Sequence, residues 1–142
     1  MRVLSIRQPW AWCIASSTKR IENRSRFFRY RGPLAIHAGL TVDDWALEHA
    51  PPVLDAIRDW RRRHPGERLQ MPTGGIVAVA ELVDCHVAAG CCAPWGEPLI
   101  HHLRLEGVRA LKTPVPLRGR LGLFRLDDDE LEAQLMEGLR RG

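Results

Sequence analysis

No stretch of the 142-residue chain comes near the roughly 18–20 consecutive apolar residues that a membrane-crossing helix needs. The opening segment, MRVLSIRQPW, also lacks the basic, apolar and small-residue order of a secretory signal. The expected setting is therefore cytosolic, with no membrane partner. Cysteine is sparse, and the four thiols, Cys13, Cys85, Cys91 and Cys92, form neither a Cys-x-x-Cys pair nor a Cys/His ladder of the zinc type. Reduced thiols are expected, with no metal and no cofactor. Internal repeats and low-complexity linkers are missing too. With 45% hydrophobic residues at this length, one domain spanning 1–142 with a real core is the expectation.

Acid is nearly absent from one part of the chain. Residues 1–39 hold eight basic side chains and a single carboxylate, Glu22, although the formal net charge is only +4. A second basic run, Arg58 to Arg63, falls on a predicted helix. Positive charge gathered on one region is the footprint of a phosphate-binding surface, and equally that of a solvated face. The acidic stretch Asp127 to Glu130 carries no function in this reading, because carboxylates in the first turn of a helix complement its macrodipole.

Periodicity orders the elements. Val3–Ile6 alternates as a strand, Gln8-Pro9 ends it, and Pro9 suits the first position of a short helix over Trp10–Ala15. Lys19–Arg24 and Pro33–His37 read as strands on either side of an arginine and aromatic loop. Thr41-Val-Asp-Asp44 has the form of a capping box, and Pro51-Pro52 divides two helices, the second with Val53, Ile57 and Trp60 at helical spacing. Ile76–Val83 reads as a central strand, Cys85–Pro98 as a loop, His101–Leu111 as a strand and Leu121–Leu126 as the closing strand. Leu131, Leu135 and Leu139 mark one face of a terminal helix. Five or six strands interleaved with short helices predict an α+β fold, a small mixed β-barrel with helices outside.

Three N-terminal blocks, Leu4-Ser-Ile-Arg-Gln-Pro-Trp10, Lys19-Arg-Ile-Glu-Asn-Arg24 and Arg31-Gly-Pro-Leu-Ala-Ile-His-Ala-Gly39, resemble the signature of ASCH (activating signal cointegrator homology) domains. Gly75 to Asp84, Pro94-Trp-Gly-Glu97 and Pro114 to Phe124 agree, in order, over nearly the whole chain. The resemblance implies a PUA-like barrel, a cleft between barrel and helices, and a role in RNA metabolism through RNA, single-stranded nucleic acid or a modified nucleoside. Some relatives are amidohydrolases that deacetylate N4-acetylcytidine and others have been proposed as ribonucleases, so the fold alone does not choose among these activities. A monomer is the expected state.

Lys19 matches the lysine of the family motif. Ringed by Arg20, Arg24 and Arg7, its charged form would be disfavoured, fitting it as base or nucleophile; it could equally hold a phosphate as a point charge. The hydrolysing relatives carry a threonine three residues on, where this chain has Glu22. A carboxylate there could hold the lysine, orient a water or accept from a base amino group. Ser17 stands where the family usually has glycine, which puts the turn before Lys19 in question. Glu81 lies within an apolar strand and should face a cation, Lys19 or Arg24, as salt bridge or as general acid or base. Relatives use a second carboxylate, a place open to Glu81 or Glu97. Trp10 and Trp95 are candidates for stacking on bases, with core packing as the alternative fate of Trp10 and a lid that of Trp95. Gln8 and Asn23 could read a base edge or cap their turns. Arg26, Arg29 and Arg31, interleaved with Phe27, Phe28 and Tyr30, suit phosphate contacts. His37 is a secondary site residue by resemblance. His101-His102 is not read as a metal pair, because neighbours on a strand point to opposite faces.

Overall fold

The computed structural model describes residues 1–141. In chain order the elements are β1 (Arg2–Gln8), α1 (Trp10–Ser16), β2 (Ile21–Arg24), β3 (Gly32–Val42), α2 (Asp44–His49), α3 (Pro51–Arg63), β4 (Gly75–Val87), β5 (His101–Pro116), β6 (Leu123–Arg125) and α4 (Asp129–Arg140). All six strands join one sheet in the order β2-β5-β4-β3-β1-β6. β1 runs parallel to β3, and every other pairing is antiparallel. None of the described helices is long and apolar enough to cross a membrane.

The sheet does not close, which corrects the expected barrel. β6 takes the outer edge of β1 over Arg2–Leu4 and leaves β2, only four residues long, without a strand partner beyond β5. Instead of a ladder, a side chain crosses the gap: Arg24 donates through Nη2 to the Ser5 carbonyl at 2.9 Å. This seam between β1 and β2 is where the site lies.

Alternation in the strands sorts the core into two layers. Leu4, Ile6, Leu34, Ile36, Ala78, Ala80, Leu82, Leu103 and Leu105 pack beneath α1. On the other face Val3, Ala35, Ile76 and Val79 meet Leu135 of α4, with Leu131 and Leu139 beside it. A third cluster joins Trp12 and Cys13 of α1 to Ala46, Val53 and Ala56 of α2 and α3.

Local chemistry shifts several predicted boundaries. The cap of α2 is Asp43, whose side chain accepts from the Ala46 amide at 3.1 Å, while Thr41 stays in β3. Pro9 sits just ahead of α1 and accepts from the Cys13 amide through its carbonyl. β4 continues through Cys85 to Val87, so the predicted loop starts later, and β5 runs past Pro114 to Pro116. Ser17 has φ −137°, extended backbone that serine adopts freely, so the turn before Lys19 needs no glycine.

Candidate functional site

A cleft of about 380 Å³ opens at the seam. β1 supplies Ser5, Ile6 and Arg7, α1 supplies Trp10, and β2 with its flanks supplies Lys19, Glu22, Asn23, Arg24 and Ser25; Asp43, Glu97 and Ile100 complete the wall. The α1–β2 turn and the short β2 strand thus place the predicted cationic motif opposite the β1 edge.

Lys19 forms the floor. Its side chain is 1% exposed, and Nζ donates to the Ile21 carbonyl and stands 3.5 Å from Glu22 Oε1. The amine also lies 5.4 Å from the Trp10 ring centroid and 5.7 Å from that of Trp95. An ammonium between two indole faces gains a cation–π attraction that desolvation strengthens. Glu22 in turn meets Arg24, Oε2 to Nη2 at 2.8 Å and to Nε at 3.0 Å. The lysine is therefore paired with an anion rather than ringed by cations. Arg20 turns away and donates to the carbonyls of Ile14, Ser17 and Lys19, tying off the end of α1.

Glu81 is not Lys19's partner. It sits between Ala80 and Leu82, which pack in the α1-side layer, so the pleat directs it to the opposite face of the sheet. The carboxylate that meets the lysine comes from β2 itself.

Asp43 is a cleft residue that the sequence marks only as a cap. Oδ2 accepts from the Trp10 indole N–H at 3.0 Å and lies 3.6 Å from Arg7 Nη2. Desolvation raises this carboxyl, yet the hydrogen bonds from Trp10 and Ala46 and the charge of Arg7 together hold it below the usual carboxylate range. One side chain thus caps α2 and fixes the plane of Trp10.

Asn23 spans the cleft wall. Nδ2 donates to the Trp95 carbonyl and Oδ1 accepts from the Glu97 amide, each at 2.9 Å. This places Glu97 on the rim. Trp95 is buried behind Lys19, with Nε1 donating to Thr18 at 3.3 Å, so it supports the floor and does not lie on the wall.

The other predicted residues lie elsewhere. Gln8 is buried, accepting from the Trp12 amide and donating to the Pro72 carbonyl. Arg26 and Arg29 are exposed on the loop before β3, and Arg31 folds back onto the Phe28 and Tyr30 carbonyls. His37 is buried and lines a second groove, which shares Ser5 with the cleft. There Nε2 donates to the Leu117 carbonyl at 2.6 Å, which leaves Nδ1 to accept from the Ser5 hydroxyl at 2.9 Å.

Comparison with known proteins agrees with this architecture. The model of the ASCH domain matches residues 4–115. The crystal structure of a mutant ZmASCH protein from Zymomonas mobilis superposes with a TM-score of 0.56 at 13% identity, covering 95% of this chain and 96% of that one. At such low identity the likeness speaks for the fold. No curated protein matches the chain.

Proposed function

The chain belongs to the ASCH domain family, and from that premise we propose that it binds RNA or another single-stranded nucleic acid by receiving a base or modified nucleoside in the seam cleft. The observation that carries this reading is the convergence of Trp10, Lys19, Asn23, Arg24 and Arg7 on one hollow. Its volume falls within the roughly 300–1,000 Å³ range of small-ligand sites. Trp10 offers a π-face whose plane Asp43 fixes, and stacking on such a face contributes about 1–3 kcal/mol per base. Asn23 lines the cleft while its amide ties Trp95 and Glu97 to the wall, and Arg7, 58% exposed at the rim and 3.6 Å from Asp43, can still present its guanidinium to a phosphate.

The test is fluorescence anisotropy with a labelled single-stranded RNA over a series of salt concentrations. Affinity is expected to fall steeply with salt, because each neutralised phosphate releases counterions. Arg7→Ala should weaken every sequence alike and reduce the salt slope by about one. Absence of binding, or a flat salt response, overturns the proposal.

A second reading, hydrolysis of an N4-acylated cytidine, is favoured by one feature, the Lys19–Glu22 ion pair on the cleft floor. Glu22 would take a proton from the attacking water and pass it to N4 as the acyl C–N bond breaks, releasing cytidine and acetate, while Lys19 would meet the charge that develops on the acyl oxygen. Incubation with N4-acetylcytidine should then change its ultraviolet spectrum, and the change should be lost in Glu22→Gln. A constant spectrum removes this reading and leaves binding standing.

A further inference from the structure

Away from the cleft, four side chains with metal-ligand chemistry meet where the β4–β5 ladder ends. His86 and His102 are cross-strand partners whose ring centroids are 5.3 Å apart. Cys91 and Cys92 reach them from the loop between the strands. Cys91 Sγ lies 3.4 Å from His86 Nε2 and 3.6 Å from His102 Nδ1, and Cys92 Sγ lies 3.5 Å from His86 Nε2. The ligand atoms all fall within 4.8 Å of one another.

These spacings suit a tetrahedral ion. With zinc–sulfur bonds of about 2.3 Å and zinc–nitrogen bonds of about 2.0–2.1 Å, tetrahedral angles separate sulfur from nitrogen by about 3.5–3.6 Å. The sulfurs, 3.0 Å apart, lie well beyond disulfide length. They need to part by only several tenths of an ångström to span an ion, since two thiolates on zinc stand about 3.7 Å apart.

The outer contacts make the stronger argument. His102 Nε2 lies 2.7 Å from the Glu97 carbonyl, and a carbonyl only accepts, so this nitrogen carries the proton and Nδ1 turns a lone pair toward Cys91. His86 Nδ1 lies 2.6 Å from Asp84 Oδ2, which leaves Nε2 as the inward lone pair. Both rings thus hold their protons on the outside, through a carboxylate and a carbonyl, two of the partners that orient histidines on metals. Adjacent cysteines ordinarily diverge; here Cys92 has φ 69°, a costly conformation for a non-glycine residue, and this brings the two sulfurs to one point. Gly96 lets the loop close over them, since a β-carbon there would stand 2.7 Å from both Cys92 Cβ and His102 Cε1.

We propose that His86, Cys91, Cys92 and His102 form a tetrahedral site for a zinc-class divalent cation. Four protein ligands leave no open position, which makes the role structural. The ion would staple residues 88–100 to the end of the ladder. Through the Glu97 and Trp95 contacts to Asn23 it would also steady one wall of the cleft. The proposal departs from the expectation of no metal and stands independently of the nucleic-acid reading.

The experiment uses the full chain purified under reducing conditions, with metal content measured by plasma mass spectrometry. The chelated protein is then titrated with cobalt(II). One equivalent per chain is expected, with the visible absorption of tetrahedral cobalt and a thiolate charge-transfer band. Cys92→Ala and His86→Ala should abolish that spectrum, and Asp84→Asn, which keeps all four ligands, should weaken binding about 10–100-fold. His101→Ala, altering a ring that meets Phe27 rather than the cysteines, should leave the spectrum unchanged. Far-UV circular dichroism establishes that each variant is folded. Substoichiometric metal in folded, reduced protein, a cobalt spectrum that survives Cys92→Ala, or a Cys91–Cys92 disulfide that persists with reductant and zinc present overturns the proposal.

Discussion

At the residue scale, the cleft depends on a buried ion pair between the floor lysine and its neighbour on β2. Removing one member of a buried pair strands the other charge and costs about 3–5 kcal/mol, whereas replacing both with apolar groups of similar size is often close to neutral. Glu22→Ala should therefore lower stability by about 3 kcal/mol in urea denaturation, with Arg24 also losing its partner. The double variant Lys19→Met/Glu22→Leu should recover most of that loss, and failure to recover would mean that the pair acts through packing. The sequence made Lys19 and its motif visible, because a lone acid among eight bases stands out. It did not reveal which carboxylate answers the lysine. Glu81 was the natural candidate by hydropathy, but the pleat phase of β4 decides its side of the sheet, and that phase follows from the neighbours Ala80 and Leu82. The His86–His102 pair was hidden for a similar reason. Its members lie sixteen positions apart, and only the cross-strand register brings them together.

At the scale of elements, the α2 cap links local structure to the site. Asp43→Ala should cost about 1 kcal/mol through the lost cap, and it should also free the Trp10 indole, seen as a shift in tryptophan fluorescence. Because the folded carboxyl is held below its ordinary value, its contribution is complete above about pH 4 and declines as pH falls through the lowered value. Acid titration of stability should show this loss in the unmodified chain and less of it in Asp43→Asn. On β4, a β-carbon at Gly75 would stand 2.8 Å from the Val115 carbonyl oxygen, a backbone atom that cannot swing aside. Gly75→Ala should therefore cost about 1–3 kcal/mol by thermal denaturation. Helices were the most legible elements, since Leu131, Leu135 and Leu139 announce α4 directly. Strand ends were less so: β4 and β5 extend each other by pairing, a tertiary effect that outlasts the local cues of Cys85 and Pro114.

At the scale of the molecule, Trp10 packs against both the sheet core and the α2–α3 cluster. This shared contact predicts a single urea transition, coincident by circular dichroism and tryptophan fluorescence. Two separated transitions would instead divide the chain into independent units. The α+β class and the order of elements could be read from periodicity. Closure could not, because strand count says nothing about whether the first and last edges meet. That unclosed seam has one further effect. β2 is an edge strand, so along its outer side the peptide groups remain outside any ladder, with the Ile21 carbonyl taken by Lys19. On the nucleic-acid reading, a guest lying along that edge would also meet main chain, which every amino acid carries alike. Any such main-chain contact would outlast alanine substitution, whereas change in the lining side chains would alter which guest is preferred.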